Sequence, residues 1–169
     1  MCTGYCGKFR ATVRDNDDPL KQGRLKLSVP DVIQTTDSTW ALPCLPVTGN
    51  HMGFVALPPI GANVWVEFEN HDPAYPVWTG GWFDDSQQLP AIALNDNPQL
   101  QNMLLQTSGG NLILISDSAG DQGGIQLVSS SGAKITITDT GITITDATGA
   151  SIELSGATVD VNNGALSVT

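Results

Sequence analysis

Four side chains in the first third of the chain are of the types that bind zinc. Cys2, Cys6, Cys44 and His51 offer three thiols and one imidazole, and structural zinc sites use four ligands of these kinds. Their spacing matches no usual zinc finger or ribbon. Because an odd number of cysteines suits reduced thiols better than a disulfide framework, we expect structural thiols and no metal ion.

Two glutamates and two histidines are the remaining candidates for catalysis. Glu67 and Glu69 are two residues apart on one face of an expected strand, and paired carboxylates perform glycoside hydrolysis. The alternative is that both are solvent-facing acids. His51 and His71 lie in expected loops, and neither belongs to a nucleophile motif. We therefore expect no catalytic residue and no cofactor.

Four tryptophans offer a different chemistry, which is stacking on a ligand. The rings of Trp40, Trp65, Trp78 and Trp82 suit sugars or nucleic-acid bases. A nucleic-acid groove must be basic, whereas this chain carries seven Lys and Arg against seventeen Asp and Glu, a formal charge of −10. We expect no nucleic-acid partner, and an oligomeric carbohydrate- or nucleic-acid-binding module is the alternative function.

The elements that position these residues change type along the chain. All ten aromatic residues lie between Tyr5 and Phe83, and all ten prolines lie between Pro19 and Pro98. The first part predicts short strands separated by turns, which suits a small closed barrel and includes no helix. Strands are expected at 7–13, 23–29, 40–42, 53–57, 63–69 and 77–82. Side chains alternate along 64–69, which predicts Val64, Val66 and Phe68 on the core face.

The last 71 residues contain neither aromatics nor prolines and form a repeat. Pairs of apolar residues recur at alternating steps of ten and seven residues, which gives a period of 17 between tight Gly- or Asx-containing corners. The first pair is either Leu112 and Leu114 or Ile113 and Ile115. The residues expected in the core of this repeat are Ile125, Leu127, Ile135, Ile137, Ile142, Ile144, Ile152, Leu154, Val159 and Val161.

The repeat cannot form a core within one chain. Each strand offers two apolar side chains, and the corners are too short for covering helices. Three chains around a common axis would bury all the pairs together, at roughly 1.5 to 3 kcal/mol for each side chain. Thr136, Thr138, Thr143, Thr145, Ser151 and Glu153 would then face outward. The alternative is a parallel β-solenoid of a single chain, with few turns for independent stability.

Segments 23–30, 40–43, 58–69 and 72–80 together resemble the oligonucleotide/oligosaccharide-binding (OB) barrel of phage baseplate assembly protein V and of type VI secretion spikes. The order and spacing of the segments carry the resemblance, and the repeat matches in architecture. The motif residues are Gly23, Pro30, Trp40, Pro59, Gly61, Val64, Trp65, Val66, Phe68, Asp72, Pro73, Pro76 and Gly80.

The resemblance implies an all-β fold with an OB-fold barrel at 1–83, a linker at 84–98 and a triple-stranded β-helical needle at 99–169 in a homotrimer. It also implies a structural central spike of a contractile injection system, which docks under a hub protein and pierces the target cell envelope when the sheath contracts. Within that barrel motif, Glu67 and Glu69 are expected to face solvent.

The resemblance also bears on the tip of the needle. Some spikes of this type hold iron in a His-x-His pair, but this chain has no histidine after His71. We expect a separate tip protein, of the proline-alanine-alanine-arginine (PAAR) repeat type, to contact Leu166 and Val168.

No apolar run reaches the roughly 20 residues that span a bilayer, and no signal peptide is evident. Synthesis in the cytoplasm and assembly at the baseplate tip are therefore expected.

Overall fold

The computed structural model describes residues 4–93, 101–120 and 123–168. The described residues form strands and two 3-10 turns, Glu69–His71 and Ala91–Ala93, with no α-helix among them. In this part of the chain no helix has the length and apolarity needed to cross a membrane. The chain divides into two compact units, Met1–Gln88 and Leu89–Thr169. Cys2, residues 94–98 of the expected linker and Gln99, Asp121, Gln122 and Thr169 lie outside the described residues.

The first unit contains one five-stranded sheet and a separate hairpin. Its strands are β1 (Phe9–Asp15), β2 (Lys26–Ser28), β3 (Leu42–Pro43), β4 (Thr48–Gly49), β5 (Met52–Gly53), β6 (Asn63–Phe68) and β7 (Pro76–Gly81). The sheet has the order β2-β1-β6-β7-β3, and β4 pairs only with β5. All neighbours in the sheet are antiparallel except β3 and β7, which are parallel.

Two backbone hydrogen bonds close this sheet into a barrel. The amide of Leu25, just before β2, donates to the carbonyl of Ala41 at 3.1 Å, and the amide of Ala41, just before β3, donates to the carbonyl of Leu25 at 2.7 Å. The two edge strands of the sheet are therefore joined. Closure removes the free edges that an open sheet would expose.

The barrel has a core of its own. Along β6 the expected alternation is confirmed, because Val64 and Val66 are fully buried while Trp65 and Glu67 lie on the other face. The buried apolar residues are Ala11, Val13, Leu25, Leu27, Val29, Ala41, Val64, Val66, Phe68 and Trp78.

The structure corrects the expectations for one strand and for the cysteines. The strand expected at 53–57 ends at Gly53, because the hairpin stops there and Pro58 and Pro59 follow. The cysteines are not all reduced thiols. Cys6 is disulfide-bonded and Cys44 is a free, exposed thiol, because an odd number of cysteines permits one bond and one remainder.

The second unit is a single antiparallel meander. Its strands are β8 (Asn102–Gln106), β9 (Leu112–Ser116), β10 (Gly124–Val128), β11 (Lys134–Ile137), β12 (Ile142–Thr145), β13 (Ser151–Ser155), β14 (Thr158–Val161) and β15 (Leu166–Val168). Each strand pairs with the next one along the chain. The parallel solenoid is therefore not formed, because every connection is a short reversal.

The corners of the meander are built from local hydrogen bonds and glycines. After β12, one carboxylate oxygen of Asp146 accepts the amides of Thr148, Gly149 and Ala150 at 2.9, 2.7 and 2.8 Å. The hydroxyl of Thr148 donates to the other carboxylate oxygen at 2.6 Å. This bond, and after it the amide bonds, hold the pKa of Asp146 below its usual value.

Glycine is required where one strand begins against another. A Cβ on Gly124 would lie 1.9 Å from the carbonyl oxygen of Ile137, and one on Gly141 would lie 2.2 Å from that of Leu154. Gly124 and Gly141 are 17 residues apart, and so are the two residues that they approach, Ile137 and Leu154. The sequence period is therefore a structural period of two strands.

The barrel core predicts a large difference between two leucines. Leu27→Ala should lower the free energy of unfolding of the barrel by about 2 to 5 kcal/mol, because Leu27 is fully buried. The control is Leu20→Ala, at a position 62% exposed, which should change it by less than about 0.5 kcal/mol. Urea unfolding followed by tryptophan fluorescence reports on the barrel alone, since all four tryptophans lie in it. Equal effects would mean that the assigned core is wrong.

Candidate functional site

The meander carries two rows of large apolar side chains on one face. Ile125 lies opposite Ile115 and Ile137 in the register, and residues directly opposite in an antiparallel sheet project to the same face. The same pairing continues through all eight strands. One row is Leu105, Ile113, Leu127, Ile135, Ile144, Ile152, Val161 and Leu166; the other is Met103, Ile115, Ile125, Ile137, Ile142, Leu154, Val159 and Val168. We call these two rows the apolar face.

The structure brings every expected residue of the repeat core onto this face, and Leu166 and Val168 with them. It also decides the phase of β9, since Ile113 and Ile115 lie on the apolar face whereas Leu112 and Leu114 lie opposite. Met103 and Leu105 were missed by the sequence reasoning. They are two residues apart, as are the apolar pairs of the later strands, and this spacing could have identified them as another pair.

The apolar face is largely exposed within one chain. Its large side chains are exposed by 37% at Ile135 up to 68% at Met103, with Ile142 and Val161 half-buried. The core residues of the barrel, in contrast, are at most 6% exposed. A contiguous apolar surface of this kind on a folded chain marks an interface.

The opposite face of the meander is mainly polar. A line of side chains crosses the central strands from Gln126 through Thr136 and Thr143 to Glu153 and Asp160, each directly opposite the next. Near β9 this face also holds a small apolar group around Leu114, which is 1% exposed. The two faces therefore differ in polarity, although Thr136, which was expected to face outward, is only 8% exposed in the single chain.

The barrel motif residues form turns and core rather than one site. The indole nitrogen of Trp78 donates to the carbonyl of Gly23 at 3.1 Å, where Gly23 has a φ of +75°. The amide of Gly61 donates to the carbonyl of Val13 at 2.9 Å, which anchors the turn after Pro59. Among the other motif residues, Val64, Val66 and Phe68 are in the core, and Trp40 and Trp65 are half-buried. The remaining ones lie near β2 or around β7: Pro30 follows β2 by two residues, Asp72 and Pro73 are in the connection before β7, and Pro76 and Gly80 are at or next to the two ends of β7.

Asp18 organises the loop between β1 and β2, and sequence reasoning missed it. It is 3% exposed. One carboxylate oxygen accepts two bonds from the Arg24 guanidinium, at 2.6 and 3.0 Å, and the other accepts the amide of Gln22 at 2.7 Å. The Arg24 guanidinium, and after it the backbone amides, hold the pKa of Asp18 well below its usual value near 3.8, although burial opposes the shift.

The candidates for metal and acid–base chemistry are not assembled. Cys6 cannot be a thiolate ligand while it is disulfide-bonded, and the described residues contain no group of three potential metal ligands. Glu67 is paired with Lys8 at 2.8 Å on the outer face of the barrel. Glu69 lies in a 3-10 turn beyond the end of β6, so the two glutamates do not share a strand face.

The tryptophans do not form an open stacking platform. Trp78 is 4% exposed. The Trp65 and Trp82 rings contact each other with centroids 5.9 Å apart, and the Arg10 guanidinium lies 4.7 Å from the Trp82 ring. Trp40 lies beneath both Arg24 and Lys26. Three of the four rings are thus half-buried with protein partners, and this arrangement does not favour the binding-module alternative.

Two family models match the chain, one for each unit. The model of the type VI secretion system/phage-baseplate injector OB domain matches residues 9–83. The model of the phage baseplate V C-terminal trimerisation domain matches residues 102–167. The comparison with curated proteins finds no match.

A closed OB barrel followed by a β-sheet trimerisation domain defines a structural component of a contractile-tail or secretion-system baseplate. The chain belongs to the phage baseplate V family of spike proteins. Its assembly into a baseplate and its trimerisation through the second unit follow from the two matched domains.

The Asp18 cluster predicts a specific pH dependence. Because the folded-state pKa of Asp18 is depressed, its stabilisation of the barrel is full above the usual value near 3.8 and is lost as the pH falls towards the depressed pKa. Asp18→Asn should therefore lower the melting temperature at pH 7, and the difference from the native chain should shrink near pH 3. Thermal unfolding followed by tryptophan fluorescence at both pH values measures this.

The matched control is Asp17→Asn, since Asp17 is also paired with a basic residue, Lys21, but its side chain is 84% exposed. It should leave the melting temperature nearly unchanged at both pH values. If Asp18→Asn behaved like Asp17→Asn at pH 7, Asp18 would not be the residue that organises this loop.

Proposed function

We propose that three copies of the chain bury their apolar faces against one another around a common axis and so form the needle of a central spike. The observation that carries this proposal is the exposure of both apolar rows on a sheet that has no cover of its own. The trimerisation domain matched at 102–167 supports it.

The energetics favour this arrangement. Completing the burial of a Leu, Ile or Val side chain contributes up to roughly 1.5 to 3 kcal/mol, and each chain brings sixteen apolar side chains in its two rows. Association places the polar line from Gln126 to Asp160 on the outside, where Glu153 and Asp160 are solvated. Negative charge on this surface opposes side-to-side association of needles.

The proposed role is mechanical and involves no catalytic residue. The barrel docks under the hub protein of the baseplate, and the needle pierces the target cell envelope when the sheath contracts. Membership in the baseplate V family and the closed, self-contained barrel core support this division of work. The chain is made in the cytoplasm and assembled at the tip of the baseplate, before it meets an envelope.

Ile144→Asp tests the apolar face. In the trimer this change would place three carboxylates close together in an apolar layer, at a cost of several kcal/mol or with forced protonation. We expect loss of the trimer at micromolar concentration, measured as mass by light scattering.

The control for this change is the neighbouring Thr145→Asp. Thr145 lies on the polar face, opposite Lys134 and Ser151, so the same charge should leave the trimer intact. A trimer that survives Ile144→Asp, or a native chain that is a stable folded monomer, would contradict the proposed needle.

We also propose that Leu166 and Val168 contact a separate PAAR-type tip protein. Both are on β15, the edge strand of the described sheet, and they are 60% and 59% exposed, more than the apolar residues of the central strands. An edge strand has unpaired backbone groups, and a cap would cover these together with the apolar side chains.

Leu166→Arg combined with Val168→Arg should abolish capture of the tip protein and leave the trimer intact, because the rows from β8 to β14 are unchanged. The control is Ser155→Arg with Thr158→Arg, a directly opposed pair on the other face, which should leave capture unchanged. A pull-down of the tip protein by the trimer measures this. Normal capture by the Leu166 and Val168 variant, or stoichiometric iron in the native trimer, would rule the contact out.

A further inference from the structure

A second apolar surface lies on the barrel unit, in the segment that contains the β4–β5 hairpin. We call residues 47–60 the hairpin lobe. Six of its large apolar side chains are 45–65% exposed. They are Val47, Met52, Phe54, Val55, Leu57 and Ile60.

The hairpin lobe is anchored at both ends. Leu45, just before it, packs against the barrel core. Near its other end the carbonyl of Pro58 accepts the side-chain amide of Asn16 at 3.1 Å. Within the lobe, Thr48 pairs with Gly53 and the amide of Phe54 donates to the carbonyl of Val47 at 3.1 Å. The strands β4 and β5 pair with no other strand of the described chain, so the lobe presents its apolar side chains without contributing to the five-stranded sheet.

The lobe is also uncharged, which is unusual for this chain. No Asp, Glu, Lys or Arg occurs between Asp37 and Glu67, although the chain has a formal charge of −10. His51, in the turn of the hairpin, is the only histidine in that interval. The apolar face of the meander, which contains only Ile, Leu, Val and Met, is uncharged in the same way.

We propose that the hairpin lobe packs against the barrels of the other two copies in the trimer, and that this gives the barrels a contact of their own. This inference rests on the trimer of the proposed function. Copies of one acidic chain repel each other wherever their charged surfaces meet, so a contact between copies must use an uncharged surface. A different protein could bind this acidic chain through basic residues of its own. Such a partner would not require an uncharged lobe.

In a trimer, a small apolar surface is sufficient to hold the barrels in contact. Once the needle holds three chains together, the contact between barrels is intramolecular, at an effective concentration that reaches millimolar for short connections. Six exposed apolar side chains are then enough to order the barrels, although they would not hold free monomers together. Hub protein and lipid are the other possible occupants, and the test below separates them from a second copy.

The test uses the full chain with Cys44→Ser, which removes the free exposed thiol of the described residues. Val55→Cys introduces a thiol at a position that is 65% exposed in the single chain, and Leu20→Cys is a matched control at 62%. A short bis-maleimide should link Val55→Cys chains into covalent dimers, with a yield that does not change on tenfold dilution. Leu20→Cys should remain monomeric on a denaturing gel. A fluorescent maleimide should label Val55→Cys about tenfold more slowly than Leu20→Cys.

A second variant pair guards against an unfavourable cross-linking geometry. Val55→Asp should lower the melting temperature of the barrel, measured by tryptophan fluorescence, whereas Leu20→Asp should not. Both variants should keep the trimer mass, because the needle is unchanged.

Each of the following results overturns the inference. A trimer in which Val55→Cys labels as fast as Leu20→Cys has a free lobe, available to a hub protein or a lipid surface instead. A cross-linking yield that falls on dilution indicates contact between separate trimers. Equal melting temperatures for Val55→Asp and Leu20→Asp contradict the contact as well. If light scattering instead shows no trimer for the chain with Cys44→Ser alone, the proposed function itself is wrong.

Discussion

The structure depends on one constraint, which is that the meander cannot bury its own apolar face. The barrel closes through Leu25 and Ala41 and encloses a core in which Val64, Val66 and Leu27 are fully buried. The meander has regular hydrogen bonding, but the described part of the chain gives it no second layer, so its apolar rows stay exposed in the single chain. Hydrophobic burial is the dominant favourable term in folding. The barrel therefore obtains this burial within the chain, whereas we propose that the trimerisation domain obtains it by association.

This difference explains the composition of the two units. A small closed barrel needs large side chains and fixed turns, and it contains all the aromatics and most of the prolines. Trp78, buried and bonded to Gly23, joins a turn to the core. The meander needs side chains of similar size that pack against their neighbours along each row. Ile, Leu and Val at every second position meet this need. Its polar face needs only residues that tolerate a strand and bind water, which Thr and Ser supply.

Features that depend on the periodicity of the sequence were predicted correctly. Features that depend on which distant strands pair with each other were not. Alternation along residues 64–68 predicted the buried side of β6, and the 17-residue period predicted the apolar pairs. The run from Leu112 to Ile115 is apolar in both phases, so only pairing with Gln126 and Leu127 shows which side faces which way. Strand direction was open for the same reason, since short corners and paired apolar residues suit parallel and antiparallel arrangements alike. Asp18 and Arg24 are ordinary loop residues until the fold buries the carboxylate.

The close approaches at Gly124 and Gly141 recur with the 17-residue period, so the sheet is built from repeating units of fixed size. Each 17-residue unit adds two strands, and adjacent strands are about 4.8 Å apart, so one unit extends the sheet by about 10 Å. Insertion or deletion of a whole unit preserves the register and the side on which every apolar residue lies. A change by any other number of residues disturbs at least one of these. The length of such a sheet can therefore change in discrete increments through duplication within its gene, without any change to the pairing of the existing strands.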